Sequence, residues 1–210
     1  MSTFSSREAL TKAEGLAVID GLTGLQNVTE FSRRMSKAFE SFQLVKDKIE
    51  RGAKLRRGDK YLKAISIVMF DIDDFKNINE TYGHMAANEV LKSIGGILKL
   101  REREADCAAR FGGDEFSIGF VGMTEEKTFH EIKELKEALK DLSVVYEGQR
   151  VPFTMSFGIT STENASSFVT AMEQADQALK DAKSAGKNGI SRYSSIEKKA
   201  QKSSVFELKD

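Results

Sequence analysis

The chain has a single cysteine and no excess of charge of either sign, and each shortage excludes a class of protein. Because Cys107 has no second cysteine to pair with, no internal disulfide can form, and its neighbours Asp106, Ala108 and Ala109 indicate a small buried residue rather than a nucleophile. The 32 basic and 32 acidic residues balance, so no global positive field is available to recruit nucleic acid.

Long apolar runs are also missing. No stretch approaches the roughly 20 apolar residues that cross a bilayer, and nothing resembles a signal peptide. We therefore expect a cytoplasmic protein without a membrane span. With 210 residues and 40% apolar content, the chain can bury one full core, and no boundary signal indicates a second globular domain.

The most informative segment is Arg110–Phe116, which reads Arg-Phe-Gly-Gly-Asp-Glu-Phe. A short apolar lead-in over residues 108–111 precedes the glycines. After them, large apolar residues alternate with polar or small ones over residues 115–120, which is typical of a half-buried strand. The segment therefore predicts a β-hairpin.

The tip of this hairpin combines two glycines with two acids. Gly112 and Gly113 can adopt the positive φ angles of a tight turn, and they allow a ligand to approach the backbone. Asp114 and Glu115 then lie at the tip. They are either solvated surface acids or acids presented to a metal ion.

A second acidic cluster follows an apolar, β-rich run. Residues 65–70 read Ile-Ser-Ile-Val-Met-Phe, which predicts a central strand covered on both faces, and Asp71, Asp73 and Asp74 come directly after it. Mg²⁺ prefers oxygen ligands and usually takes one or two protein carboxylates. If the hairpin pairs beside this strand, Asp71 and Asp114 meet at one sheet edge and can hold one or two metal ions. Asp73 or Asp74 can instead cap the next helix.

Apolar periodicity places the other elements. Helical stripes occur over residues 31–49, 132–142 and 168–182. Gly83 is expected to end a short helix that starts near Asp74, with a longer helix over residues 86–100. Clean alternation over residues 151–159 predicts a strand, with Pro152 near its start.

These features together resemble the GGDEF domain, the catalytic module of bacterial diguanylate cyclases. Six motifs occur in family order over roughly residues 18–193, and six spaced matches are far more specific than one. They read DGLTGLQN, FDIDDFKNIN, YGH, GGDEF, TMSFG and AKSAGKN, beginning at Asp20, Phe70, Tyr82, Gly112, Thr154 and Ala182. The resemblance implies condensation of two GTP into cyclic di-GMP with release of two pyrophosphates, each GTP being held by one of two facing domains.

The resemblance also implies a fold and a domain plan. The fold is an α/β (α+β) arrangement similar to the palm of polymerases and adenylyl cyclases, with a central, mainly antiparallel sheet flanked by helices and the signature on a β-hairpin. We expect a linker or short helix over residues 1–17, the GGDEF domain over 18–193 and a C-terminal tail over 194–210. The basic loop over residues 51–60 is either solvated or steers phosphates.

By resemblance, the metal ligands are Asp71, the carbonyl of Ile72, and Asp114, with Glu115 as a further ligand or a base. The ion is Mg²⁺ or Mn²⁺, which stabilises charge while a 3′-hydroxyl attacks an α-phosphate. Asp114, Glu115 and Lys76 are the implied catalytic residues. Removal of Asp71 or Asp114 should abolish turnover.

The triphosphate needs cations and backbone donors. By resemblance, the amides of Asp74 and Phe75 face the phosphates, Lys76 neutralises charge nearby, and Lys183 and Lys187 reach in from the end of the last helix. These two lysines share a face while the helix persists. The family usually has arginine at position 187, and lysine keeps the charge but loses the bidentate fork. For each lysine, a simple surface role is the alternative. The implied substrate-binding set is completed by Gly112, Gly113, Asn79 and Asn88.

Base recognition is where the sequence departs from the family. An asparagine and an aspartate read guanine in the family, and Asn79 and Asn88 stand at those positions. A carboxylate accepts both donors of the guanine edge, whereas the neutral amide of Asn88 accepts one bond and can donate to adenine N1. Ala87 also replaces a usual glycine. One hypothesis is weaker discrimination against ATP and a hybrid cyclic GMP-AMP product. The alternative is that Asn88 helps to start a helix and the pocket still selects guanine.

Arg103 and Asp106 lie at the spacing of the family's inhibitory site, where cyclic di-GMP binds. The planar fork of arginine suits phosphate or a guanine edge, although a surface ion pair is the plain alternative. The resemblance therefore implies cyclic di-GMP as product and inhibitor, a homodimer for catalysis, and a sensor domain in cis or in trans.

A catalytically weak domain that serves as a nucleotide receptor is the second hypothesis. Ala87, Asn88, Lys187, and Val28 in place of an expected arginine, are marks against full activity. Pyrophosphate release from GTP with Mg²⁺ distinguishes the two hypotheses.

Overall fold

A computed structural model describes residues 18–52 and 62–198, which form a six-stranded sheet with helices on both faces. The strands are β1 (Gln26–Asn27), β2 (Ile65–Ile72), β3 (Cys107–Gly112), β4 (Glu115–Val121), β5 (Val145–Tyr146), β6 (Gln149–Arg150), β7 (Met155–Ser161) and β8 (Ile190–Arg192). The helices are α1 (Val28–Glu50), α2 (Phe75–Arg101), α3 (Glu125–Lys140) and α4 (Phe168–Ser184), and a short helical segment follows over residues 193–198.

The main sheet has the order β1-β3-β4-β2-β7-β8, with β2 near its centre. The pairings β3–β4, β4–β2 and β2–β7 are antiparallel, whereas β1 and β8 run parallel to their neighbours at the two edges. A separate pair, β5–β6, forms a small hairpin. The predicted central, mainly antiparallel sheet is therefore confirmed, and so is the placement of the signature on the β3–β4 hairpin.

Two apolar cores cover the two faces of the sheet. On one face α2 and α3 pack against a row in which Phe70 stacks on Phe116 and Phe157, with ring centroids 5.6 and 5.1 Å apart. On the other face α1 and α4 pack over the sheet, with Phe31 and Met35 fully buried. Strand β2 is thus covered on both faces, as its apolar run predicts.

The prediction that β4 is half-buried was wrong, because the second helical layer covers the face that carries its small residues. A Cβ added at Gly119 would lie 2.1 Å from the sulfur of Met35 on α1. Strand β7 is likewise buried along its whole length and begins at Met155, four residues later than the predicted residue 151. At Gly158 a Cβ would lie 2.1 Å from the backbone nitrogen of Leu179 on α4. The small residues therefore let helices lie directly on the sheet.

The predicted helices are present, and one of them differs from the prediction near its end. Helix α2 breaks at Gly83 (φ 84°, ψ 161°), as expected. The apolar stripe of α1 faces the core in its first half, but Ile49 near its end is exposed. No helix among the described residues is long and apolar enough to span a membrane.

The segment over residues 193–198 continues past the predicted end of the domain at residue 193. It is fastened to α3, because the Ser194 hydroxyl and backbone N–H donate to the carboxylate of Glu125. The predicted linker, most of the basic loop and the tail beyond residue 198 lie outside the described residues, and the three domain boundaries stay predictions.

Candidate active site

The two acidic clusters meet at one edge of the sheet. In the strand register Asp71 lies opposite Glu115 of β4 on one side and opposite Ser156 of β7 on the other. Asp114 precedes Glu115 in the tight turn, where Gly113 has a φ of 54°. The end of β2 and the tip of the hairpin therefore lie side by side, as predicted.

Asp71 is a buried carboxylate, and only one of its two oxygens accepts a hydrogen bond from the described residues. It is 4% exposed, its Oδ2 accepts from the ammonium of Lys183, and its Oδ1 has no hydrogen-bond partner among the described residues. Burial raises the pKa of Asp71 above its ordinary value; Lys183 opposes this rise, and the charges of Asp114 and Asp73 add to it. The site therefore carries negative charge that one lysine does not fully compensate.

These residues fit a hard divalent ion held by few protein oxygens. The open oxygen of Asp71, the nearby charge of Asp114 and the adjoining backbone of Ile72 are suitable oxygen donors. No group of three or more His, Cys, Asp or Glu side chains that could hold a metal occurs within residues 18–52 and 62–198. Glu115 is exposed, so it lies at the rim of this arrangement.

The hairpin tip is held in place by an arginine that the sequence reasoning gave no role. Arg110 donates from Nη2 and Nε to the carbonyl of Gly113, at 2.6 and 3.0 Å, and its Nη1 lies 3.3 Å from Oδ2 of Asp20. Burial acts against ionisation of Asp20, but hydrogen bonds from Thr23 and the charge of Arg110 hold its pKa below the ordinary value. Asp20 opens the first recognised motif and Arg110 begins the heptapeptide of the hairpin, and these positions were the available signal.

The predicted phosphate-contacting lysines reach the same cluster by two routes. Lys183 projects from α4 to Asp71, and the Nζ of Lys187 donates to Oδ1 of Asp74 at 2.6 Å, a bond that raises the pKa of Lys187. The condition for a shared helical face is not met, because α4 ends at Ser184 and Lys187 lies beyond it in a left-handed conformation (φ 62°). Lys76 is not brought to the cluster; its side chain is 88% exposed and pairs with Glu80 at 3.6 Å.

Neither acid after β2 caps the next helix with its side chain. Asp74 occupies the N-cap position of α2 in a left-handed conformation (φ 54°) and makes no side-chain capping bond. The carboxylate of Asp73 turns toward β7 instead. The backbone N–H groups of Asp74 and Phe75 thus stand at the start of a helix, which is a favourable place for an anion.

The predicted base-reading residues lie on either side of the break at Gly83. The Asn79 amide donates to the carbonyl of Phe75 at 3.1 Å, and its oxygen lies 2.7 Å from Nδ1 of His84. Asn88 is half-buried one turn beyond the break. Ala87 is buried in the core, so its methyl group is accommodated there. The contact of His84 with Asn79 was missed, although His84 belongs to the YGH motif.

At the predicted inhibitory pair, Arg103 and Asp106 contact each other. Arg103 Nε lies 3.0 Å from Oδ2 of Asp106, as an ion pair without hydrogen-bond alignment. Asp106 is only 2% exposed, and its Oδ1 accepts from the backbone N–H of Val121 at 3.1 Å. The guanidinium of Arg103 lies 6.0 Å from the ring centre of Phe120 and stays open to solvent. The ion pair is thus present, with the arginine as its accessible member.

A family model described as diguanylate cyclase, GGDEF domain, matches residues 17–189. The chain belongs to the GGDEF family. Diguanylate cyclase A of Treponema denticola is 37% identical over 132 residues, which cover 61% of the chain and 35% of that protein. Diguanylate cyclase DgcP of Pseudomonas aeruginosa is 36% identical over 174 residues, which cover 83% of the chain and 24% of that protein. The chain thus spans about a quarter to a third of these curated relatives.

Solved structures agree with the fold. The GGDEF domain of DgcB from Caulobacter crescentus, in complex with c-di-GMP, superposes with a TM-score of 0.71 at 24% identity, covering 84% of the chain and 93% of that domain. The GGDEF domain of PA1120 (TpbB or YfiN) from Pseudomonas aeruginosa superposes with a TM-score of 0.68 at 26% identity, covering 83% of the chain and 94% of that domain. This sheet order and helix placement are therefore those of a GGDEF domain.

Proposed function

We propose that this GGDEF domain is a diguanylate cyclase that condenses two GTP molecules into cyclic di-GMP and two pyrophosphates. The buried carboxylate of Asp71 carries this proposal, because its open oxygen lies at the sheet edge beside the hairpin tip of Asp114. Lys183 pairs with Asp71 and Lys187 pairs with Asp74, and both lysines can exchange these carboxylates for phosphate oxygens. A site for a metal-bound triphosphate requires one or two carboxylates for the metal and nearby cations for the phosphates.

Each part of the site then has a defined task. Mg²⁺ or Mn²⁺ would be held by Asp71, the carbonyl of Ile72 and Asp114, and when bound it supplies charge stabilisation on the attacking and leaving oxygens. Glu115, which is exposed at the rim, would act as a further ligand or as the base that takes the proton of the attacking hydroxyl. Lys183 neutralises Asp71 until a substrate phosphate offers a competing anion.

Two copies of the domain are needed for a complete product. The 3′-hydroxyl oxygen of each GTP attacks the α-phosphorus of the other, and each attack breaks the bond to one pyrophosphate. Because each domain holds one GTP, we propose a homodimer with facing sites. The greater length of the curated relatives leaves room for a sensor domain that brings the two sites together.

The test is a product assay with GTP and Mg²⁺ that measures pyrophosphate and cyclic di-GMP together. The proposal expects two pyrophosphates per cyclic dinucleotide, a rate per molecule that rises with protein concentration, and no turnover for Asp71→Asn. Asp181→Asn is the matched control, because Asp181 is a half-buried acid on α4 that accepts from Ser191 at 2.6 Å. A wild-type protein that binds GTP without releasing pyrophosphate would instead indicate a nucleotide receptor.

Asn88 favours a second candidate activity, the synthesis of cyclic GMP-AMP from GTP and ATP. Its neutral amide stands half-buried beyond the break in α2, where the family has a carboxylate for guanine. Equimolar GTP and ATP should then give a mixed product, and Asn88→Asp should shift the mixture toward cyclic di-GMP. Cyclic di-GMP alone at every nucleotide ratio would reject this candidate.

A further inference from the structure

Asp73 joins three separate segments of the chain through one carboxylate. Although it follows two predicted metal ligands, it is 7% exposed and makes only internal bonds. Its Oδ1 accepts from the Ser156 hydroxyl at 2.7 Å. Its Oδ2 accepts from the Thr154 hydroxyl at 2.7 Å and from the backbone N–H of Asn188 at 2.9 Å. The turn after β2, the start of β7 and the loop after α4 therefore meet at this side chain.

The loop that Asp73 fastens has an unfavourable backbone. Lys187 and Asn188 have φ angles of 62° and 46°, and Asp74 on the facing turn has 54°. Residues with a Cβ rarely adopt this left-handed region, and such conformations persist only where the surroundings hold them. The Asn188 N–H donates to Asp73 directly after Lys187, whose ammonium reaches Asp74. Two strained segments are thus held against each other around one carboxylate.

We infer that Asp73 is a positioning residue for nucleotide binding, which holds the loop after α4 in the conformation that aims Lys187 at the triphosphate. This inference rests on the proposed function of the site, because it takes Lys187 as a phosphate-contacting group. Both oxygens of Asp73 are engaged in internal hydrogen bonds, so its role is to hold other groups in place. Asp73 acts through the Asn188 N–H, which needs an acceptor at the position of Oδ2.

Asp73→Leu removes all three hydrogen bonds of the carboxylate, whereas Asp73→Asn can keep them. The amide oxygen of Asn can take the place of Oδ2 and accept from Thr154 and Asn188, while its NH₂ group donates to the Ser156 hydroxyl, which can rotate to accept. Thr154→Val and Ser156→Ala are the matched controls, because each removes one bond to the sheet and leaves the bond to the loop.

The experiment measures the affinity for a GTP analogue with a methylene bridge between the α and β phosphates, in the presence of Mg²⁺. Because each substitution removes a hydrogen bond that involves a charged group, Asp73→Leu and Lys187→Gln should each weaken binding about tenfold. The double variant should bind no more weakly than Lys187→Gln. Asp73→Asn, Thr154→Val and Ser156→Ala should bind like the wild type.

Four results would overturn the inference. They are wild-type affinity in Asp73→Leu, a loss in Asp73→Asn equal to that in Asp73→Leu, a double variant in which the two losses multiply, and a loss in Thr154→Val or Ser156→Ala equal to that in Asp73→Leu. The last result would reduce Asp73 to a residue that only holds the sheet. Turnover of the wild type is measured in parallel, so that a protein that binds the analogue but makes no cyclic di-GMP counts against the proposed function and leaves the positioning role standing.

An NMR measurement on the wild-type protein applies even if Asp73→Leu does not fold. The inference expects the Asn188 amide proton to exchange slowly with solvent, because it donates to a buried carboxylate. Exchange as fast as that of an open loop amide would contradict the bond on which the positioning role depends.

Discussion

Replacing Lys183 with methionine should destabilise the metal-free protein. The ammonium of Lys183 is the hydrogen-bond partner of Asp71 Oδ2, while Oδ1 has none among the described residues. Breaking a fully buried ion pair costs about 3–5 kcal/mol, but the Lys183 side chain is 40% exposed and solvent weakens the pair. We therefore expect a loss of about 2 kcal/mol, which lowers the Tm by roughly 4–8 °C for a domain of this size.

The same substitution should change how stability depends on pH. Burial already holds the pKa of Asp71 above its ordinary value of 3.8, so in that range the folded protein binds a proton more readily than the unfolded chain. This contribution to stability is present at low pH and is lost as the pH rises from 3.8 through the raised pKa. Without Lys183 to oppose the rise, the loss should extend to higher pH.

Mg²⁺ should reverse the loss more in the variant than in the wild type. An ion bound at Asp71 replaces the missing positive charge, and an ion at 100 times its Kd stabilises the folded state by about 2.7 kcal/mol. In the wild type Lys183 competes for the same carboxylate, so the Mg²⁺-dependent gain in Tm should be smaller.

The assay is thermal and urea unfolding of both proteins, with and without Mg²⁺. Lys180→Met is the matched control on the same helix, because Lys180 pairs with Asp176 at the surface, where such pairs contribute little. Equal stability losses in the Lys183 and Lys180 variants, or equal Mg²⁺ gains in wild type and Lys183→Met, would refute the reasoning about the Asp71 site.

Three further predictions concern other parts of the molecule. Arg103→Ala should relieve inhibition by added cyclic di-GMP without changing the initial rate; an unchanged inhibition curve would reject the feedback site. Gly158→Ala should destabilise the protein by about 3 kcal/mol or more in urea unfolding, because the added Cβ would meet the α4 backbone. Gly96→Ala lies at an open helical position and should stabilise the protein by up to about 1 kcal/mol. Similar effects of the two substitutions would contradict the close packing of α4 on β7. Asp20→Asn should lower stability at neutral pH and have little effect once the pH falls through the lowered pKa of Asp20. The reason is that the ion pair with Arg110 contributes to stability only while Asp20 is ionised. A loss of stability that does not depend on pH would contradict this pairing.

The hairpin and the strand that ends in Asp71 could be predicted because both depend on local patterns. A glycine pair between two β-rich segments predicts a tight turn, and a continuous apolar run predicts a strand covered on both faces. Their meeting at one edge was predicted on the condition that the hairpin pairs beside the strand, and the register of Asp71 with Glu115 confirms this pairing. The break of α2 at Gly83 was likewise a local property of glycine.

Contacts between distant segments could not be predicted in this way. Asp73 and Asn188 are 115 positions apart, and Arg110 and Asp20 are 90 apart, so no periodicity relates them. The buried second face of β4 was missed because Gly119 resembles a solvent-facing small residue until a helix is placed over it. In each case the missing information was which element packs against the residue.

The most direct test of the central claim is anomalous diffraction from crystals grown with Mn²⁺ and the non-reactive GTP analogue. We predict an anomalous peak between the carboxylates of Asp71 and Asp114 and the analogue's phosphates, with Lys183 moved from Asp71 onto a phosphate oxygen. A peak held by other residues, or a bound analogue with no ion at Asp71, would contradict the account.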